Sequence, residues 1–195
     1  MRIALAIAPW SHKETYPPSQ GRSTVLSGKF GMLGGATPPL SLLYISSCLK
    51  AGGPHETHFV DGFFVHGEAW FQAVLNPAPD LVGLWCSQFS WERTKAAARQ
   101  LKERGGPGIR VVVGGTFITA DKGAVLAEPD ADGVDFLVLG EGEDAMVVLA
   151  AALKGQGGLG KIQGLVWRDA GQIVINEARP WREDLDSLPF PDYDL

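Results

Sequence analysis

Ile109-Arg110-Val111-Val112-Val113-Gly114-Gly115-Thr116 is an apolar run that ends abruptly on two glycines and a hydroxyl residue. A short run of this kind, bounded by turn residues, fits a strand covered on both faces, as in a parallel sheet. The pattern recurs on either side. Upstream stand Ile3-Ala4-Leu5-Ala6-Ile7-Ala8, which stops at Pro9, and Leu81 to Trp85. A briefer run, His58-Phe59-Val60, closes on Asp61-Gly62, and downstream Phe136 to Leu139 leads into Gly140-Glu141-Gly142-Glu143. Helical patterns separate these runs. Leu40 to Ala51 is stopped by Gly52-Gly53, and a helix around Glu68 to Leu75 leads through Pro77 and Pro79 to the third strand. Trp91 to Arg104 has Ser90 as a candidate cap, with Ala96, Ala97 and Leu101 facing the sheet. Helical material follows around Lys122 to Ala127, and again from about Asp144 to Leu153. Strands alternating with helices predict an α/β fold: a doubly wound, flavodoxin- or Rossmann-like sheet of five parallel strands with right-handed crossovers.

The texture changes beyond Gly155. Ile162 to Trp167 and Gln172 to Ile175 flank Asp169-Ala170-Gly171 and predict a small C-terminal β-hairpin. An acidic, proline-bearing stretch from Asp184 to Leu195 then reads as an interdomain connector. The expected organisation is an α/β domain over 1–155, with the hairpin and connector over 156–195. One more segment stands apart: Trp10 to Pro39, rich in Gly, Pro and Ser, is too long for a routine connection and is expected to be functional or mobile.

The chain has 195 residues, 45% hydrophobic and 20% charged, which is enough to bury a proper core. A formal charge of -5, with Lys and Arg scattered, argues against a nucleic-acid partner. The apolar runs are too short to cross a bilayer. Met1-Arg2 leads straight into a strand, so the expected location is cytoplasmic and without a membrane partner. The two cysteines, Cys48 and Cys86, sit in apolar settings and read as buried thiols. No closely spaced Cys triplet exists to hold an iron–sulfur cluster, and the four histidines have no metal-ligand spacing.

In an open α/β sheet, ligands bind beyond the carboxyl ends of the strands, near the point where strand order reverses. Four segments converge there: the loop after Pro9, Cys86-Ser87-Gln88-Phe89, Gly114-Gly115-Thr116 and Gly140-Glu141-Gly142-Glu143. Gly114-Gly115 suits either an ordinary turn or a backbone that a flat ligand can approach. Thr116 could donate a hydroxyl or cap the next segment. Glu143 is explained by the helix dipole, whereas the glycines flanking Glu141 favour a ligand-lining role for that residue. A bulky side chain at Gly115 is expected to block the ligand and leave the fold largely intact. There is no Gly-x-Gly-x-x-Gly after the first strand, no Walker-type loop and no Gly-x-Ser-x-Gly elbow.

Taken in order, several of these segments resemble the cobalamin-binding domain of cobalamin-dependent radical SAM enzymes. The residues that carry the likeness are Pro38-Pro39-Leu40, Asp80-Leu81-Val82-Gly83-Leu84, Val111-Val112-Val113-Gly114-Gly115 and Val138-Leu139-Gly140-Glu141-Gly142-Glu143. Gly164-Leu165 and Asp186-Ser187-Leu188-Pro189-Phe190-Pro191 resemble that family's connector into its radical SAM barrel. The resemblance implies a corrinoid between this domain and a following C-terminal radical SAM domain, with its nucleotide tail along the sheet edge. It implies cofactor contacts at Cys86, Ser87 and Gln88, at Gly114, Gly115 and Thr116, and at Gly140, Glu141 and Gly142. S-adenosylmethionine and a 4Fe–4S cluster are expected only in the further domain. This chain is then a cofactor-binding module with no catalytic residue of its own, silent in isolation and serving methyl transfer or related radical chemistry.

One departure stands out. Cobalamin domains of methionine synthase and the mutases carry Asp-x-His-x-x-Gly after strand one, whereas here Trp10-Ser11-His12-Lys13-Glu14-Thr15 lacks both the Asp and the Gly. His12 is therefore expected not to ligate cobalt, and no metal ligand is assigned. The competing reading is a free-standing flavodoxin-like mononucleotide-binding protein or enzyme. A response-regulator-like domain is a third, disfavoured by the absence of an acidic pair after strand one.

Overall fold

β1 (Arg2–Ile7) lies inside the sheet with parallel neighbours on both sides, β2 (Glu56–Asp61) and β3 (Leu81–Trp85), in a computed structural model that describes residues 1–9 and 39–195. His12, Pro38 and the rest of the 10–38 segment lie outside the described residues. β4 (Arg110–Gly114) and β5 (Phe136–Val138) continue the parallel set. β6 (Leu165–Asp169) and β7 (Gln172–Ile175) then add on antiparallel, giving one mixed sheet in the order β2-β1-β3-β4-β5-β6-β7. The predicted hairpin thus prolongs the predicted sheet from five strands to seven. Its turn is the two-residue pair Ala170-Gly171, both at positive φ, which matches the twist of the flanking strands.

Alternation along each strand sorts the core into two layers. Ile3, Leu5, Leu81, Val112, Phe136 and Val138 face α1 (Leu40–Gly52) and α5 (Glu143–Leu153). Ala4, Ala6, Val82, Leu84, Val111 and Val113 face α2 (Gly67–Leu75) and α3 (Trp91–Gly105). The alanines of β1 leave room on that second face for the indole of Trp70. That side chain is fully buried and donates its Nε1–H to the Ile7 carbonyl at 2.9 Å. Burying a residue of this size contributes about 3 kcal/mol, and the hydrogen bond removes the cost of hiding its polar edge. Helices on both faces, with the order reversing between β1 and β3, make this a doubly wound sheet.

Two local readings of the sequence are corrected. The helix placed near Lys122–Ala127 is instead the short α4 (Thr116–Ala120), followed by a 3₁₀ turn at Ala124–Ala127. Ser90 occupies the N-cap position of α3, but its hydroxyl makes no cap hydrogen bond to the helix. It turns back instead and accepts the Ser87 amide at 2.8 Å, tightening the loop after β3.

The C-terminal segment returns across the α1 face. Ser46, fully buried on α1, donates its hydroxyl to Asp192 Oδ2 at 2.6 Å, and Asp192 also pairs with Lys50 at 2.5 Å. Ser47 donates to the Phe190 carbonyl at 2.6 Å. Among the described residues, no helix is long and apolar enough to cross a membrane.

Candidate functional site

A cavity of about 550 Å³ opens at the carboxyl ends of β1, β3, β4 and β5, between the sheet and the pair α1 and α5. Its volume lies in the range of small-molecule sites, and its position is where an open α/β sheet binds ligands. The floor is unusual for what it lacks. Gly83 and Gly114 sit at positions whose side chains would point at α1 and α5, on the same face as Leu81 and Val112. A Cβ at Gly114 would meet only Val138, at 3.8 to 3.9 Å, which is ordinary contact, so the strand tolerates a side chain that the cavity does not contain. Leu5, Val138 and Met146 close the apolar base, and Leu42 and Ile45 of α1 form one wall.

The neighbouring Gly115 has a different task. Its φ is +126°, and a Cβ there would lie 2.2 Å from the Cys86 carbonyl oxygen, which is backbone and cannot give way. The Cys86 amide in turn donates to the Gly114 carbonyl at 2.8 Å, locking the ends of β3 and β4 together. Gly115 is thus required by chain packing. The expectation that a bulky residue could be placed there without harm to the fold is overturned.

Of the residues singled out from sequence, Gly114, Gly115, Thr116, Gly140, Glu141 and Gly142 all line the cavity. Cys86, Ser87 and Gln88 do not line it. Cys86 is fully buried in the core layer beneath α2 and α3, where burial pushes its thiol up from the ordinary value. Strand alternation explains this: Trp85 takes the cavity side at the end of β3, which turns Cys86 to the other face. Following the period of two from Leu81 through Gly83 would have pointed to Trp85. Cys48, the second thiol, is also buried and unpaired, and burial raises its pKa too.

The two glycine loops at the rim are joined by a residue that the sequence did not mark. Thr119 lines the cavity, donates its hydroxyl to the Gly115 carbonyl at 3.2 Å and accepts the Gly140 amide at 2.9 Å. Thr116, by contrast, is the first residue of α4, with Gly115 at the N-cap position. Glu141 lines the cavity, while one of its carboxylate oxygens accepts the Arg182 amide at 3.0 Å. Glu143 begins α5, where the helix dipole should favour its charge. Burial nonetheless raises its pKa, and the nearby Glu141 and Asp144 add to the rise. Among the described residues, Glu141 and Glu143 are the ionisable side chains of this lining. Among the described residues, no group of His, Cys, Asp and Glu is placed to hold a metal ion.

A family model described as the B12 binding domain matches residues 30–150. An uncharacterized methyltransferase of Pyrococcus horikoshii is 27% identical over 168 residues, covering 84% of this chain and 35% of the relative. The anaerobic magnesium-protoporphyrin IX monomethyl ester cyclase of Cereibacter sphaeroides is 29% identical over 171 residues, covering 84% of this chain and 27% of the relative. The chain thus spans about a third or less of the curated relatives it matches. Among solved structures, the cobalamin-dependent S-adenosylmethionine radical enzyme OxsB with aqua-cobalamin bound superposes with a TM-score of 0.71 at 16% identity, over 99% of this chain and 24% of that one. At that identity the likeness is one of fold.

Proposed function

The chain belongs to the B12-binding domain family, and we propose that it holds a cobalamin whose nucleotide tail enters the cavity between the sheet and helices α1 and α5. The observation that carries this reading is the bare stretch of floor at Gly114, where a Cβ would meet only Val138 at ordinary distance, so the strand end leaves open a space that a side chain would fill. Gly114 would admit the tail, Gly83 lets Leu5 pack close against β3 beneath it, and Trp85, Ile45 and Met146 would give it apolar contact. Gly140 and Gly142 would let the rim approach the corrin closely. Thr119 holds the two rim loops at a fixed separation. When bound, cobalamin supplies a cobalt centre able to carry a methyl group. The protein's part is to seat the corrinoid, keep water from its tail and present one face to a further domain.

That further domain is the second half of the proposal. Residues 1–155 would carry the cofactor. The hairpin and connector over 156–195 would lead to a radical SAM domain holding S-adenosylmethionine and a 4Fe–4S cluster. The whole protein would perform methyl transfer or related radical chemistry, and the module alone would not. Two buried, unpaired thiols suit a reducing, cytoplasmic setting. A mononucleotide-binding flavodoxin-like protein is not favoured, because the family model that matches residues 30–150 is that of the B12 binding domain.

The test is direct. The folded chain is mixed with hydroxocobalamin, desalted, and its visible spectrum recorded. A retained corrinoid, with the spectrum of a cofactor whose benzimidazole has left cobalt, is the expected result. A folded chain that retains no corrinoid would overturn the proposal.

A further inference from the structure

Trp181 is 74% exposed, yet it lines the cavity, and it comes from the connector, 31 positions beyond the last residue matched by the family model (181 − 150). Large aromatics left in water are normally incidental when they stand on mobile chain. This one does not. The Arg182 amide donates to Glu141 Oε2 at 3.0 Å, and the Arg179 guanidinium donates to Asp144 Oδ2 at 2.8 Å. The Arg182 guanidinium pairs with the same Asp144 and reaches Ser187 Oγ at 2.9 Å. The residues two before and one after Trp181 are therefore both fastened to the start of α5, which forms one side of the cavity. The indole is held at the cavity by a backbone hydrogen bond on one side and a side-chain ion pair on the other, with most of its surface uncovered.

We infer that Trp181 is a cofactor-binding residue, forming an aromatic contact with the heterocyclic base of the corrinoid's nucleotide tail. This rests on the cobalamin reading above. Three features select the base over the rest of the tail. Among the described residues the lining is predominantly apolar, its ionisable side chains are both carboxylic acids, and burial disfavours the charge of one of them, Glu143. An anionic phosphate gains nothing from such surroundings, whereas a flat, neutral heterocycle gains burial and a ring to pack against. The connector would then act on the cofactor directly as well as leading the chain onward.

The experiment titrates the complete 195-residue chain, its Trp181→Ala variant and its Trp181→Phe variant with two corrinoids, followed by visible absorbance. One corrinoid is aquacobalamin; the other is diaquacobinamide, which lacks the nucleotide tail. Because Trp181 is largely exposed, the variants should keep the thermal midpoint of the parent chain. The expected result is that Trp181→Ala binds aquacobalamin about tenfold more weakly, the usual scale for losing one aromatic contact with a base. Trp181→Phe should restore most of the affinity, and cobinamide affinity should be the same for all three chains. If Trp181→Ala leaves aquacobalamin affinity unchanged, or weakens both corrinoids equally, the inference is overturned while the cobalamin reading stands. If the parent chain binds neither corrinoid, both fall together.

Discussion

The Gly140 amide donates to the hydroxyl of Thr119 at 2.9 Å, so a side chain at the end of α4 holds the loop after β5. The same hydroxyl donates to the Gly115 carbonyl at 3.2 Å, and the rim of the cavity is thereby set by one oxygen atom. Replacing Thr119 with Val keeps the branched shape and removes both hydrogen bonds. The expected cost is about 1 kcal/mol of stability, together with several-fold weaker corrinoid binding and faster hydrogen exchange at the Gly140 amide. Thr119→Ser should behave like the parent chain. Unchanged exchange at Gly140 in the Val variant would show that the loop is held by other means.

Gly114 and Gly115 are adjacent but should respond in opposite ways. Gly114→Val places a β-branched residue in a strand, where its Cβ meets only ordinary contacts and its methyl groups would project toward the cavity. Its thermal midpoint should match or exceed that of the parent chain, while corrinoid affinity falls at least about tenfold. Gly115→Ala should instead lower stability by about 2–3 kcal/mol, because a Cβ there meets the Cys86 carbonyl oxygen and φ is strongly positive. Chemical denaturation of the two variants beside corrinoid titration separates the effects. A destabilised Gly114→Val that still binds normally would remove the floor from the site.

Glu143 gives a pH signature. Burial, reinforced by Glu141 and Asp144, raises its pKa in the folded chain above the unfolded value. The folded state therefore holds the proton more tightly. The associated stability is fully present below the unfolded pKa and is lost as pH rises through the folded one. Glu143→Gln removes that loss. Its thermal midpoint should exceed the parent's near pH 7, by on the order of 1–2 °C, with the difference closing in acid. An equal difference at all pH values would mean that packing, and not charge, is responsible.

Asp192 carries the opposite sign. Burial alone would raise its pKa, but Lys50 and the Ser46 hydroxyl outweigh that and hold it below the usual carboxylate range. The stability it contributes is present above the unfolded pKa and is lost as pH falls through the lowered one. Asp192→Asn should cost about 1–2 kcal/mol at neutral pH and flatten the acid limb of the stability curve below about pH 5. Denaturant midpoints across pH 3 to 7 would check this. Parallel curves for the two chains would exclude the carboxylate from the connector's attachment.

The central strands were legible in sequence because both of their faces are covered: Ile3 to Ile7 and Leu81 to Trp85 read as unbroken apolar runs. β2 extends to Glu56 because its backbone pairs with Arg2, a constraint that a run of side chains does not report. α4 escaped notice because Thr116-Phe117-Ile118-Thr119-Ala120 has little intrinsic helical bias and forms where Gly115 is pressed onto Cys86. At the site, residues directly after a strand could be found from the punctuation of glycines. Ile45, Met146 and Trp181 could not, since they reach the cavity only through the crossovers and the returning connector.

The placement of β6 against β5 has a consequence for how any piece of this chain should be cut. β5 is three residues of pure hydrocarbon, Phe136-Leu137-Val138, and β6 satisfies its outer row of amides and carbonyls. The Arg168 guanidinium on β6 also donates to the carbonyls of Val134 and Leu126, at 2.7 and 2.5 Å, sealing the turn that leads into β5. Removing the hairpin would leave a sticky, unpaired edge, the template on which chains join sheet to sheet and come out of solution. The strands that do end the sheet are safer: β2 presents Glu56 and His58, and β7 begins with Gln172. A fragment stopped before Leu165 would therefore be expected to aggregate, whereas one carried through Glu177, whose carbonyl accepts the Gly164 amide at 2.8 Å, would keep its margin closed.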